Sequence, residues 1–193
     1  MNQRQNNKDR LLLAAIDLMA KKGYNGVSTK EIAAAAGLSE MTLFRHFGTK
    51  RYLLEAAVDR FHYTEDMIQV FQEKLVWDLR ADLYLLADRY HEIMNQNRKM
   101  ILIVLKDAEL SDVMHKAQKH PRQLKEMLMD YFTAMQEQGK MIATNAEAQA
   151  MTFMWMNYGA FMTHLHQAES ITSITMQEFK ENSVDLFVRA LTP

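Results

Sequence analysis

Apolar residues recur along this chain at the spacing of helices. Leu11, Leu12, Ala15, Ile16 and Met19 form one stripe, three and four residues apart, which stops at Gly23 behind Lys21 and Lys22. A second helix is predicted to start at Ser28, with Glu31 three residues on as the other half of a capping box, and to carry Ile32, Ala33 and Ala36 inward before Gly37 ends it. Ser39 then caps a short third helix whose apolar side is Leu43 and Phe47. Glu40, Met41, Thr42, Phe44, Arg45 and His46 are left for its other faces. From Gly48 and Thr49 a longer stripe through Leu54, Val58, Phe61, Ile68 and Phe71 predicts one helix reaching about Leu75 and joining two parts of the molecule.

Further helices are predicted over 77–95, 98–108, 121–138, 145–168 and 175–190. Thr144 with Glu147 and Thr175 with Glu178 read as capping boxes, and Pro121 and Gly139 mark the limits of the helix between them. The stretch MTFMWMNYGAFMTHLH, residues 151–166, is apolar nearly all round, as a helix buried on two sides would be. There is no repeat, low-complexity tract or linker, so the domain boundary is expected inside the long helix after Thr49. With two Pro, 16 Met and few β-branched alternations in 193 residues, the fold class is all-α.

Composition narrows the chemistry. The absence of cysteine excludes disulfides, thiolate metal sites and cysteine nucleophiles. No apolar run approaches the roughly 18 to 20 residues a membrane span needs, and MNQRQNNKDR leads into no signal-peptide core, so a soluble cytoplasmic protein is expected, without membrane partners. The overall charge of -1 conceals an asymmetry: residues 1–51 hold nine Lys or Arg against four Asp or Glu, and the remainder fourteen against twenty. A basic head on an acidic body suits a chain whose first quarter meets a polyanion.

Two short helices joined by a tight glycine turn, after a longer helix, make a helix-turn-helix, in which the second helix enters the major groove. The segment TKEIAAAAGLSEMTLFRHFGTK, residues 29–50, resembles the N-terminal domain of the TetR/AcrR family of bacterial transcriptional regulators, whose pattern runs T-x-x-IA-x-x-AG-V/L-S-x-x-T-L-Y/F-x-HF-x-x-K. Gly23 also matches, and the likeness spans about residues 5–65, a third of the chain. The resemblance implies a DNA-binding domain over 5–65 and a helical effector-binding and dimerisation domain over 66–193. It places Ser28, Thr29 and Lys30 at the start of the second helix, where the family contacts phosphates, and Phe44, His46 and Lys50 at other phosphate-clamping positions. Ser39, Glu40, Met41, Thr42 and Arg45 fall on the recognition helix, within reach of bases. Phe44 departs from the more frequent Tyr and has no hydroxyl for a phosphate. Glu40 is an acid facing DNA, able to accept from a cytosine amino group or to repel the backbone.

For the remainder, the resemblance implies a homodimer built on the last two long helices and a small-molecule effector. Phe161, Phe179, Leu186 and Phe187 are the candidate dimer residues. Met154, Trp155, Tyr158 and Met162, with Tyr84, Tyr90, His91 and Met94 from 77–95 and Met127, Tyr131 and Met135 from 121–138, are candidate pocket residues for an apolar or cationic ligand. The alternative is that most of these are core. No enzyme, cofactor or metal is expected: His115 and His120 are five apart, His164 and His166 two apart, and no phosphate loop, Gly-x-Ser-x-Gly or His-Glu-x-x-His occurs. The expected function is a homodimeric repressor that binds a palindromic operator in double-stranded DNA and is released by a small ligand. The alternative is a DNA-associated structural or division-control protein of the same fold without an inducer.

Overall fold

The computed structural model describes residues 3–60, 64–106, 110, 112–113, 119–165 and 171–193. The expectations at Phe61, His115, His166 and the helix ends at 107–108 and 166–168 lie outside these. The described residues form α1 (Gln3–Lys22), α2 (Thr29–Ala35), α3 (Glu40–Phe47), α4 (Lys50–Arg60), α5 (Thr64–Gln69), a π-helical turn (Val70–Lys74), α6 (Leu79–Gln96), α7 (Arg98–Lys106), α8 (Lys119–Glu137), α9 (Ala146–Leu165) and α10 (Met176–Leu191), with no strand among them. The chain divides into two compact units, residues 1–62 with 97–118, and 63–96 with 119–193.

The first unit is built on α1. Its inner stripe of Leu11, Ala15 and Met19 meets Ile32 and Ala33 of α2, Leu43 of α3, Leu53, Leu54 and Ala57 of α4 and Met100, Ile103 and Val104 of α7 in one buried cluster. α7 packs on α1, and Lys99 Nζ reaches Asp17 Oδ1 at 2.7 Å. Arg51 of α4 is paired with Asp112. Residues 97–118 therefore add a second sequence segment to the unit that holds the two short helices.

In the second unit, α8 packs along α9 and α10 packs along α6. The Thr175–Glu178 capping box forms as predicted. The Thr144–Glu147 box does not: Asn145 Oδ1 caps α9 by accepting from Ala148 N at 2.9 Å, while Glu147 is drawn to Lys125 Nζ at 2.8 Å. Asn competes well with Thr for an N-cap, and a reachable lysine takes the carboxylate that the box needed. Pro121, expected as the first residue of this helix, lies two residues inside α8, still in its first turn, where a missing N–H costs no helical bond. The segment 70–74 winds as a π turn rather than continuing the α-helical stripe toward Leu75.

A buried carboxyl organises the corner between this turn and α6. Asp82 is fully buried and accepts from Val76 N at 2.8 Å through Oδ1 and from Tyr131 Oη at 3.0 Å through Oδ2. Burial and the neighbouring Asp82 push the Tyr131 phenol well above its ordinary pKa, so it stays a donor. Trp77 stacks on Tyr131 with ring centroids 5.8 Å apart, and its backbone holds φ +60°, left-handed for a non-glycine residue. Lys140 Nζ caps the Trp77 carbonyl at 2.9 Å. Tyr131→Phe leaves one Asp82 oxygen buried without its donor, a cost of about 2 kcal/mol. The variant is expected to melt about 4–8 °C lower in a circular dichroism scan; an unchanged Tm would mean that Asp82 does not depend on this phenol.

Candidate nucleic-acid interface

Local chemistry sets the geometry of α2 and α3. Ser28 is extended (φ -90°, ψ 156°) and accepts from Glu31 N at 3.2 Å, while its own N donates to Glu31 Oε2 at 2.9 Å. Lys22 Nζ takes the other Glu31 oxygen at 2.8 Å. Lys22 first, then the Ser28 donors, hold this carboxyl down at about 2. The turn closes at Gly37, whose φ of +64° is left-handed, with Leu38 N donating back to Ala33 O at 2.9 Å. A Cβ at Gly37 would stand 2.7 Å from Arg10 Nη2, the movable tip of a long side chain, so it is the left-handed φ that calls for glycine here. Ser39 then caps α3, accepting from Thr42 N at 3.2 Å, and its Oγ lies 2.9 Å from Thr42 Oγ1.

Eight residues give α3 two buried side chains, Leu43 and Phe47. Spacing of three and four residues puts Met41, Phe44 and Arg45 together on the outward side, with Met41 81% and Phe44 47% exposed. Arg45 and Lys30 are exposed and form no ion pair among the described residues. His46 is half-buried, its ring 6.2 Å from that of Phe47.

Three of the residues placed at phosphate or base positions also hold the head together. Thr29 Oγ1 donates to Glu40 Oε1 at 2.6 Å, so the hydroxyl assigned to phosphate and the acid facing DNA engage each other, tying the start of α2 to the first turn of α3. Lys50 Nζ donates to the carbonyls of Tyr24 at 2.9 Å and Val27 at 3.0 Å and sits 4.3 Å from the Tyr24 ring centroid. It clamps the turn between α1 and α2. Ser28 and Ser39 likewise spend their hydroxyls on caps. Tyr52, which the sequence analysis does not single out, is 57% exposed on the first turn of α4, and its N donates to the Thr49 hydroxyl at 3.0 Å.

The second-unit candidates separate into inward and outward groups. Tyr90, His91, Met94, Tyr131 and Met135 are buried; Met127, Met154, Met162 and Tyr84 are half-buried, Tyr84 accepting from Gln177 Nε2 at 2.7 Å. Trp155 and Tyr158, predicted to line a pocket, instead face out of the unit, Trp155 at 65% exposure. Phe161 and Phe187, predicted for the dimer contact, are buried in their own unit, and Phe179 is half-buried with its ring 5.9 Å from that of His91. The reason is the face of α9: Ala150, Phe153, Asn157, Phe161 and Leu165 make its inner stripe, which puts Trp155 and Tyr158 on the other side. Of the four dimer candidates only Leu186, 66% exposed, lies on the outside. Phe153 and Phe187 meet edge to face at 5.9 Å, which fixes α10 against that stripe.

Comparison with known proteins agrees with this geometry. The family described as "Bacterial regulatory proteins, tetR family" matches residues 11–57. An uncharacterized HTH-type transcriptional regulator of Bacillus subtilis, YvkB, is 33% identical over 184 residues, covering 95% of this chain and 96% of its own. Among solved structures, NalD of Pseudomonas aeruginosa, described as the secondary repressor of the MexAB-OprM multidrug efflux pump, superposes with a TM-score of 0.77 at 16% identity over 99% of this chain and 98% of its own. AibR, solved in complex with isovaleryl coenzyme A and operator DNA, superposes with a TM-score of 0.67 at 19% identity over 93% of this chain and 97% of its own. These two show the fold. With a relative of this identity along nearly its whole length and a helix-turn-helix where the family's own lies, the chain belongs to the tetR family of bacterial transcriptional regulators.

Proposed function

We propose that the protein is a homodimeric repressor that reads a palindromic operator through two copies of α3 and leaves it when a small ligand occupies the second unit. One observation carries the DNA half of this reading: α3 keeps only Leu43 and Phe47 for its own core and presents Met41, Phe44 and Arg45 outward. Arg45 supplies a fork for guanine, Met41 an apolar surface for a thymine methyl, and Phe44 a ring that packs on the sugar-phosphate backbone. Lys30 supplies charge for a phosphate. Repression is supported by what NalD is said to do, and ligand response by the isovaleryl coenzyme A in the AibR complex.

Dimerisation is supported by the outward faces of α9 and α10, where Trp155, Tyr158 and Leu186 are large, apolar and exposed. A two-fold pairing of the same faces presents two recognition helices to a two-fold operator. Release requires that the ligand bind one arrangement of the heads better than the other, since equal affinity shifts nothing. Among the described residues no helix is long and apolar enough to cross a membrane.

Three cation substitutions separate the roles at the head. Arg45→Ala is expected to relax preference at one base pair of each half-site by about 10- to 100-fold in competition binding, since a good bidentate contact discriminates by about 1–3 kcal/mol. Lys30→Ala is expected to weaken specific and random DNA alike and to reduce the salt slope by about one per head. Lys50→Ala is expected to lower stability by about 2 kcal/mol in urea unfolding, because two carbonyls lose a charged donor. Equal losses on specific and random DNA for all three would remove α3 from the groove.

The dimer face has its own test by sedimentation. Leu186→Glu or Trp155→Glu is expected to give folded monomers, and Phe161→Glu unfolded or aggregated chain, because only the last charge enters the unit's own core. Dimers that persist in both outward variants would place the contact elsewhere. An operator titration with and without candidate effectors tests release: an operator affinity that no effector alters points to the structural, inducer-free protein.

A further inference from the structure

Two buried polar residues of the second unit, Asp82 and His91, differ in one respect. Around Asp82 each carboxyl oxygen has its donor. Around His91 an acceptor is left over. His91 on α6 is 3% exposed, and its Nε2 lies 3.1 Å from Asn157 Oδ1 on α9. Asn157 Nδ2 donates to Phe153 O at 2.8 Å, which turns the amide so that Oδ1 faces the imidazole. Nε2 is therefore the protonated nitrogen and Nδ1 the acceptor. Nδ1 is buried with no hydrogen-bond partner among the described residues. Burial lowers this imidazole to about 4, with the Asn157 bond and Asp88 opposing and Lys180 and His164 adding to the fall, so the ring is neutral at neutral pH.

Leaving a buried acceptor unsatisfied is costly, and native proteins do so rarely and with a reason. The surroundings describe what would satisfy it. Tyr90 and Phe179 meet the imidazole edge to face, with centroids 5.4 and 5.9 Å away. Met94 and Met154, one turn from His91 and Asn157 on the same helix faces, carry unbranched side chains that repack at little cost. Lys180 of α10, 8% exposed, is paired with Asp88, so the two charges offset each other near the ring. Neither a cation nor an anion finds an unpaired counter-charge among these residues, and an anion would oppose its own acceptors to Nδ1.

We propose that His91 Nδ1 is the polar anchor of the effector site, accepting a hydrogen bond from a neutral aromatic ligand that carries one donor, such as a phenol or an indole N–H. Asn157 is the positioning residue that fixes the tautomer. The proposal deepens the ligand-released reading and rests on it, narrowing the class from apolar or cationic to neutral, aromatic and donor-bearing.

The test uses the full chain and two probes of similar shape, 4-ethylphenol and 4-ethyltoluene, titrated calorimetrically into the wild type and into His91→Phe. The ratio of the two affinities is expected to shift about five- to tenfold against the phenol in His91→Phe, the worth of one buried neutral hydrogen bond, with the hydrocarbon nearly unaffected. In the wild type, the nitrogen NMR resonance of His91 Nδ1 is expected to move with the phenol and not with the hydrocarbon, a readout that does not depend on the variant folding. An unchanged ratio, an unmoved Nδ1 resonance, or no binding of either probe overturns the proposal. An operator titration with the same phenol keeps the two readings apart: preference through His91 without loss of operator affinity leaves the anchor standing and counts against release from this site. Release by an effector that leaves Nδ1 unmoved has the opposite meaning.

Discussion

A helix of eight residues makes too few internal hydrogen bonds to persist in water, so α3 depends on the burial of Leu43 and Phe47. These two side chains fasten it to the small-residue surface of α2 and to α4, within the cluster that α1 shares. Each is worth about 2 kcal/mol when withdrawn from water, comparable to the whole marginal stability of so short an element. Everything else about the head follows from this constraint. The cap at Ser39 and the left-handed Gly37 set where α3 begins, and the remaining positions are free to be chosen for what lies outside the protein. Exposed Met41 and Phe44 would be poor choices for a surface that met only water.

How far the structure could be read from the sequence depended on the range of the interaction. The boxes at Ser28–Glu31 and Thr175–Glu178 were legible because both partners lie within one turn. The box at Thr144 failed for the same physics at longer range. Lys125, on another helix, took Glu147, and Asn145 was the better cap. The stripe from Leu54 to Phe71 predicts one continuous helix, and periodicity alone cannot register that residues 70–74 wind more widely. Nor could it show that residues 97–118 pack with the first unit, since that depends on the complementarity of α7 to α1.

The faces of α9 were the hardest reading. A helix apolar all round gives no moment to say which side is inner, and nothing in its periodicity tells that Trp155 and Tyr158 lie outward while Phe161 lies inward. The one clue was polar. Asn157 interrupts the apolar run, and a buried amide must find partners, which on α9 means the Phe153 carbonyl behind it and the imidazole opposite. A helix whose aromatic residues are equivalent by hydropathy is oriented by its least hydrophobic member.

Charge shows the same division between local and global information. The excess of cations in the first quarter of the chain is real, but a sequence count cannot say which of them face outward. Lys22 is committed to Glu31, Lys50 to two carbonyls and Arg51 to Asp112, whereas Lys30 and Arg45 remain exposed. The committed cations hold the turn and α4 in place, and the exposed ones sit on the elements so held. Glu40 fits this arrangement. An acid on a DNA-facing helix would weaken binding if its charge were turned to the phosphates, and the Thr29 hydroxyl at 2.6 Å gives its carboxylate a partner inside the head. The bond also spans α2 and α3, so the residue that looks least suited to DNA helps to fix the angle at which the recognition helix is presented.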